Sequence, residues 1–198
     1  MIELFEFALS GNCHKIRLML SLLGVPYESR VLNGSLREHK LPEFLEKNPL
    51  GQVPVLKDDL LVLRDSQAIL VYLAKKYGDK VWFPDEPAVA AEIMSWLSLA
   101  ANEISRGLAA LRAHHKMNRT INVREAQDFA MLTLKMLNEH LCGRLWLVTD
   151  HPTIADIAIF PYVALAHEAM ISLDEFPQVT TWINNIKGLN GYVAMPGM

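Results

Sequence analysis

Strand-like patterns are confined to the first 77 residues of this 198-residue chain. There, short runs rich in β-branched and aromatic residues alternate with stretches of helical periodicity, which predicts the order β-α-β-α-β-β-α. Because the strands are nearly continuous in apolar residues and have helices between them, we expect a sheet covered on both faces. The predicted strands are residues 2–7, 27–32, 53–56 and 60–63, and the predicted helices are residues 13–23, 41–46 and 65–77.

Beyond residue 88 every pattern is helical. One long helix is predicted over residues 89–115, a second begins at Asn122, and a fourth covers residues 176–186. The third predicted helix begins after Thr153, which has capping-box spacing with Asp156. The residues that follow show no polar face. A helix that is apolar all round belongs in a core, and Pro161 should kink it.

A linker separates these two regions. The stretch 78–87 contains glycine, two prolines and three acidic residues, which is typical of an exposed connection. The chain is long enough for two small domains, each with its own core. We therefore predict an α/β domain over residues 1–78, a linker over 79–87 and an all-α domain over 88–198.

Composition excludes several classes of protein. The chain is 51% hydrophobic and 21% charged, as in ordinary globular proteins. Its formal charge of −3 argues against nucleic-acid binding. No apolar run is long enough to cross a membrane, and the first residues lack the pattern of a signal peptide. We expect a cytoplasmic protein with free thiols at Cys13 and Cys142 and, without a metal-binding motif, no metal.

The turn between the first strand and the first helix could hold an anionic sulfur. A helix N-terminus offers free N–H groups and a partial positive charge. A hydroxyl there can donate to a thiolate, and a thiol there can become one. Ser10, Asn12 and Cys13 all lie in this turn, although Ser10 or Asn12 could equally be a simple helix cap.

Two further positions could bind the rest of a small anionic ligand. If the Val53–Pro54 bond is cis, the backbone of Val53 turns outward and can pair with an extended peptide. Ser66, at the start of the third helix, could hold a carboxylate, while Asp65 could accept from an ammonium group. Taken alone, Val53-Pro54 is also compatible with a loop entering a strand, and Asp65-Ser66 with a simple helix cap.

Four segments of the chain carry a resemblance to a known family. They are Ser10-Gly-Asn-Cys-His-Lys-Ile-Arg17, Pro42-Glu-Phe-Leu-Glu-Lys-Asn-Pro-Leu-Gly-Gln-Val-Pro-Val-Leu56, Asp65-Ser-Gln-Ala-Ile-Leu-Val-Tyr-Leu73 and Pro152-Thr-Ile-Ala-Asp-Ile157. In their order and spacing these segments resemble the glutathione transferase superfamily, and the resemblance covers essentially the whole chain. It implies a thioredoxin-like glutathione-binding domain, an all-α bundle after it, and a homodimer.

The resemblance also implies a role for each site residue. Val53, beside a cis Pro54, would pair its backbone with the cysteinyl unit of glutathione. Asp65 and Ser66 would hold the γ-glutamyl end. The glycine carboxylate would meet a group of polar residues, namely His39, Lys40 and Gln52.

Two mechanisms remain open at the turn. Tyrosine-type classes place a tyrosine in the first strand, where this chain has Phe5 and Phe7. In serine-type classes Ser10 would activate the glutathione sulfur, with Asn12 as an auxiliary donor. In cysteine-type classes Cys13 would form a mixed disulfide with glutathione.

We favour Ser10, and with it a transferase that adds the glutathione thiolate to a hydrophobic electrophile. The alternatives are a thiol transferase or reductase acting through Cys13, a glutathione-dependent isomerase, and a non-catalytic binding or regulatory module of the same fold.

Overall fold

The N-terminal region has the predicted order of elements. A computed structural model describes all residues, 1–198. The ends of the elements differ slightly from those predicted, and a short 3-10 turn at Glu38–Lys40 was not predicted. The elements are β1 (Ile2–Glu6), α1 (Gly11–Leu22), β2 (Tyr27–Val31), α2 (Pro42–Leu45), β3 (Val55–Asp58), β4 (Leu61–Arg64) and α3 (Ser66–Tyr77).

The four strands form one mixed sheet in the order β2-β1-β3-β4. Strand β1 runs parallel to β2 and antiparallel to β3, and β3 is antiparallel to β4. Successive strand residues face opposite sides of a sheet: Leu4 enters the core, and Phe5 meets Phe44 of α2 edge to face, 6.2 Å between ring centroids. The outer strands β2 and β4 are mostly exposed. The predicted burial of the sheet on both faces therefore applies only to the central strands β1 and β3.

The C-terminal region is entirely helical, as predicted. No helix is both long and apolar enough to cross a membrane. Its elements are α4 (Pro87–Ala101), α5 (Ala110–Met117), α6 (Val123–His140), α7 (Ile154–Ala164) and α8 (Pro177–Lys187), with a 3-10 turn at Ala166–Ala169.

The prediction of one unbroken helix over residues 89–115 is wrong. Helix α4 ends at Ala101, where Asn102 leaves the helical region with φ −109° and ψ −80°. A π-helical segment, Ser105–Ala109, then leads into α5. In this segment Gly107 lies directly on α6, since a Cβ added to it would be 2.7 Å from the backbone nitrogen of Ala130. The wider turn brings the backbone against α6, which apolar periodicity alone does not reveal.

Helix α7 occupies the centre of the core. Nearly all its residues are buried, and the capping box of Thr153 and Asp156 is present. Pro161 lies inside the helix. One continuous set of buried apolar side chains extends from β1 to α8, so the two domains pack together through shared apolar contacts. The exact boundaries at residues 78 and 88 stay a prediction.

Candidate functional site

Ser10 occupies the N-cap of α1. Its φ of −82° and ψ of 120° are those of extended backbone, and its Oγ accepts a hydrogen bond from the backbone N–H of Cys13 at 3.3 Å. This bond uses only a lone pair of the oxygen, so the hydroxyl proton remains free to donate. The side chain is partly exposed. Capping the helix and donating to a ligand are therefore compatible roles for Ser10.

Cys13, one turn into α1, is fully buried, with 0% of its surface exposed. Burial raises the pKa of the Cys13 thiol to about 11. A thiol of this kind is protonated at neutral pH and has no access to a ligand in solution.

A cleft beside this turn brings together six of the predicted site residues. They come from the start of α1, the loop before β3 and the start of α3. Three further residues were not predicted as ligands: Asn48, Leu50 and Arg64. Of the predicted residues in the turn, Asn12 lines the cleft, whereas Ser10 and Cys13 do not. The other predicted residues that line it are Gln52, Val53, Pro54, Asp65 and Ser66.

The backbone of Val53 is available for pairing in this cleft. The Val53–Pro54 peptide bond is cis. Neither the N–H nor the carbonyl of Val53 takes part in a hydrogen bond within the chain. Since unpaired backbone groups seek a partner, Val53 presents one donor and one acceptor to an extended ligand.

Asp65 and Ser66 also line the cleft. Oδ1 of Asp65 caps α3 by accepting from the N–H groups of Gln67 at 2.9 Å and Ala68 at 3.1 Å. Oδ2 makes no hydrogen bond of its own, and Asp65 holds a left-handed φ of 75°. Ser66 is buried at the first position of the helix. A carboxylate oxygen and a helix N-terminus thus lie side by side.

The polar pair His39 and Lys40 does not line the cleft. Lys40 is directed to the loop before β3, where its Nζ donates to the carbonyl of Leu50 at 2.9 Å. The ring of His39 packs edge to face on Phe7, 5.1 Å between centroids. Lys40 is therefore linked to the cleft by its hydrogen bond to Leu50, which lines it. That His39 and Lys40 bind the glycine carboxylate stays a prediction.

Asn48 organises the loop that presents Val53. It is buried, and its Nδ2 donates to the carbonyl of Gln52 at 2.7 Å, while its Oδ1 accepts from the N–H of Leu50 at 3.1 Å. An asparagine before a proline is a turn signal, so the turn was readable from the sequence. Its closure onto Gln52 was not, because that bond depends on the folded loop.

Two buried basic residues, His14 and Lys15, follow Cys13 in α1. Lys15 is completely buried on α1, its Nζ 5.7 Å from the centre of the Tyr162 ring. Burial lowers the pKa of Lys15 to about 7, against an opposing influence of Asp65. Burial also lowers the pKa of His14 to about 3, so His14 is neutral. Any charge that Lys15 carries adds to the positive potential at the N-terminus of α1.

Comparison with known proteins identifies the class to which this fold and cleft belong. Residues 4–81 match the family model of the glutathione S-transferase N-terminal domain, and residues 99–190 match that of the C-terminal domain. The chain therefore belongs to the glutathione S-transferase family. It is an enzyme, and its activity in general terms is glutathione transfer.

Individual relatives agree with this assignment along nearly the whole chain. The glutathione S-transferase GstB of Escherichia coli K12 is 29% identical over 195 residues, covering 94% of this chain and 93% of the relative. A glutathione S-transferase structure from Pseudomonas fluorescens has a TM-score of 0.91 at 28% identity, covering 98% of both chains. The structure of Ure2p in complex with glutathione has a TM-score of 0.87 at 27% identity, covering 96% of this chain and 95% of that one.

Proposed function

We propose that this protein conjugates the thiolate of glutathione to a hydrophobic electrophile, with Ser10 as the hydroxyl that stabilises the thiolate. The observation that carries the proposal is the state of Ser10: it caps α1 through a lone pair and keeps its hydroxyl proton free. The reaction needs no metal. We further propose that the protein works as a homodimer in the cytoplasm, as the family resemblance implies.

The cleft offers partners for two parts of the tripeptide, the cysteinyl unit and the γ-glutamyl end. The cysteinyl unit would pair with the free N–H and carbonyl of Val53, as an added strand does at a sheet edge. The γ-glutamyl carboxylate would meet the N-terminus of α3 at Ser66, and its ammonium group would meet Oδ2 of Asp65. The solved complex of Ure2p with glutathione supports binding of this ligand to the shared fold.

The turn at Ser10 needs to supply only a modest free energy to ionise the glutathione thiol. A thiol with a pKa of about 8.5 is only about 3% ionised at neutral pH. Lowering that pKa by about two units takes about 2.7 kcal/mol of differential stabilisation. A hydroxyl donor together with a helix N-terminus can supply this amount, with Asn12, which lines the cleft, as an auxiliary donor.

The burial of Cys13 favours conjugation over reduction. A thiol transferase or reductase forms a disulfide between its own sulfur and glutathione, so its thiolate must reach the ligand. Cys13 is enclosed, and its pKa is raised to about 11. Ser10 is partly exposed and needs no ionisation of its own. Conjugation through Ser10 is therefore the chemistry that this turn supports better.

Substitution of Ser10 and of Cys13, each by alanine, distinguishes the candidate functions. We expect Ser10→Ala to remain bound to immobilised glutathione but to turn over an activated aryl halide about a hundredfold more slowly. Cys13→Ala, the matched control, should retain most of its activity. Loss of activity in Cys13→Ala alone would favour the thiol transferase. Absence of glutathione binding by calorimetry would favour a non-catalytic module.

A further inference from the structure

Two arginine side chains hold the backbone immediately before Ser10. The Nη2 of Arg17 donates to the carbonyl of Ala8 at 3.0 Å. The Nη1 of Arg112 donates to the next carbonyl, that of Leu9, at 2.8 Å. Arg17 belongs to α1 of the N-terminal domain, whereas Arg112 belongs to α5 of the helical domain. The turn is thus held from both domains at consecutive peptide groups.

Each guanidinium is itself held by a carboxylate. Arg17 pairs through its Nη1 with Glu6, which is only 2% exposed and also accepts from the hydroxyl of Ser29 at 2.6 Å. The Nε of Arg112 donates to Glu168 at 2.5 Å, and Arg112 is only 3% exposed. Charge-assisted hydrogen bonds in buried surroundings are strong and directional. Both donors are therefore fixed before any ligand arrives.

We infer that Arg112 is a positioning residue of the helical domain that sets the orientation of Ser10, an inference that rests on the proposed role of Ser10. The carbonyl of Leu9 and the nitrogen of Ser10 belong to one planar peptide group. Arg112 holds the carbonyl end, and the N–H of Ser10 donates to the carbonyl of Phe7 at 3.1 Å. With both ends of this peptide fixed and Oγ held by the N–H of Cys13, rotation about the Cβ–Oγ bond, which aims the hydroxyl proton, is the main freedom left to Ser10.

The position requires the forked shape of arginine. Arg112 uses Nε for Glu168 and Nη1 for the carbonyl of Leu9 at the same time. A lysine carries one nitrogen on a flexible stem and cannot reproduce this geometry. Lys116 pairs with the same Glu168 but makes no hydrogen bond to the turn. It is therefore the matched control for loss of a cation at this site.

The test compares the bound thiol in Arg112→Met, Arg112→Lys, Lys116→Met and Ser10→Ala. For each, the ultraviolet absorbance of bound thiolate against pH gives the apparent pKa of glutathione on the enzyme. Steady-state kinetics give kcat and the KM for glutathione. In both Arg112 variants we expect this pKa to rise by about one unit and kcat to fall about tenfold. The KM should stay within about twofold, and Lys116→Met should keep wild-type values.

Two results with the Arg112 and Lys116 variants would overturn the inference. One is wild-type pKa and kcat in Arg112→Met; the other is an equal change in Lys116→Met, which would make charge alone the cause. Should Arg112→Met not fold, Glu168→Gln weakens the anchor while keeping both donors of Arg112. A rise of the thiol pKa in that variant supports the inference, and no change overturns it.

The Ser10→Ala variant separates failure of this inference from failure of the proposed function. A bound thiolate that persists in Ser10→Ala overturns the assignment of Ser10 and the inference with it. Loss of the thiolate in Ser10→Ala together with a normal Arg112→Met overturns the inference alone.

Discussion

Gly11 lies against the ring of Tyr162 so closely that a Cβ added to the glycine would be 2.8 Å from the ring's Cε1 and Cζ atoms. Gly11 is the first residue of α1, and Tyr162 belongs to the buried helix α7. The contact therefore sets the separation of these helices at the turn that carries Ser10. No side chain fits between them without movement of one of the two helices or of the ring.

For Gly11→Ala, the clash decides the sign of the change in stability. Replacing a helical glycine by alanine gains about 0.5–1 kcal/mol when space allows. Overpacking costs about 1–3 kcal/mol, so we expect Gly11→Ala to have a lower free energy of unfolding in urea. We also expect a lower kcat, because the shift of α1 would displace Ser10. Gly34→Ala is the control, since its Cβ would lie at an ordinary 3.7 Å from Phe7. A variant Gly11→Ala as stable as the wild type would contradict this packing.

Asp65 combines a structural and a proposed binding role that one substitution can separate. Asp65→Asn keeps an oxygen to cap α3 but loses the negative charge offered to the glutathione ammonium group. We expect the KM for glutathione to rise about tenfold, the scale of a lost charged hydrogen bond, with little change in the melting temperature. Asp65→Ala should also lose about 1 kcal/mol of stability through the cap.

The control for Asp65 is Glu86→Gln. Glu86 is the acidic N-cap of α4, where it accepts from Ala88 and Val89, and it does not line the cleft. An equal rise of the KM in this variant would show that the effect is not specific to the cleft.

Asp58 makes stability depend on pH. Burial acts to raise the pKa of Asp58, but hydrogen bonds from Lys76, Tyr77 and Tyr72 outweigh it and lower that pKa to about 2. The three donors lie at 2.6, 2.5 and 2.7 Å from Oδ2. An unfolded aspartate titrates near pH 3.9. The folded state therefore binds fewer protons in this window, and stability falls as the pH drops from about 4 towards 2.

Asp58→Asn measures this contribution. The variant should be less stable than the wild type at neutral pH, and the gap in urea unfolding should narrow below about pH 4 as Asp58 becomes protonated. The neighbouring Asp59 is exposed and pairs only with the terminal amino group. Asp59→Asn should therefore change stability little. A gap for Asp58→Asn that stays constant down to about pH 3 would rule out the titration of Asp58 as its source.

Local signals account for what the sequence could predict. The capping box of Thr153 and Asp156 and the outward-facing backbone at Val53 each depend on a few adjacent residues. The break at Asn102 and the contact of Arg112 with Leu9 depend on packing between distant elements. Apolar periodicity continues through the break, and an arginine on a helix is usually solvated. Burial of Cys13 likewise depends on the helices packed around α1, so residue type alone left its reactivity open.

Removal of the Asp156 carboxylate should lower the free energy of unfolding more than any other substitution considered above. The carboxylate is fully buried and accepts from the N–H of Leu147 at 3.0 Å, that of Thr153 at 2.9 Å and the indole N–H of Trp182 at 2.9 Å. Asp156→Ala leaves these buried donors without their acceptor, which costs about 1–3 kcal/mol for each. Against a total stability of about 5–15 kcal/mol, most of the folding free energy would be lost.

Trp182→Phe is the graded comparison for Asp156→Ala. It removes one donor and keeps an aromatic ring next to Phe160, whose ring centroid lies 6.2 Å from that of Trp182. Because the other donors to Asp156 remain, we expect a loss of about 1–2 kcal/mol in urea unfolding. Asp156→Ala should cost several times more and should yield little folded protein at 37 °C. If the two substitutions cost the same, packing of the indole rather than the carboxylate would be the element that holds α7 to α8.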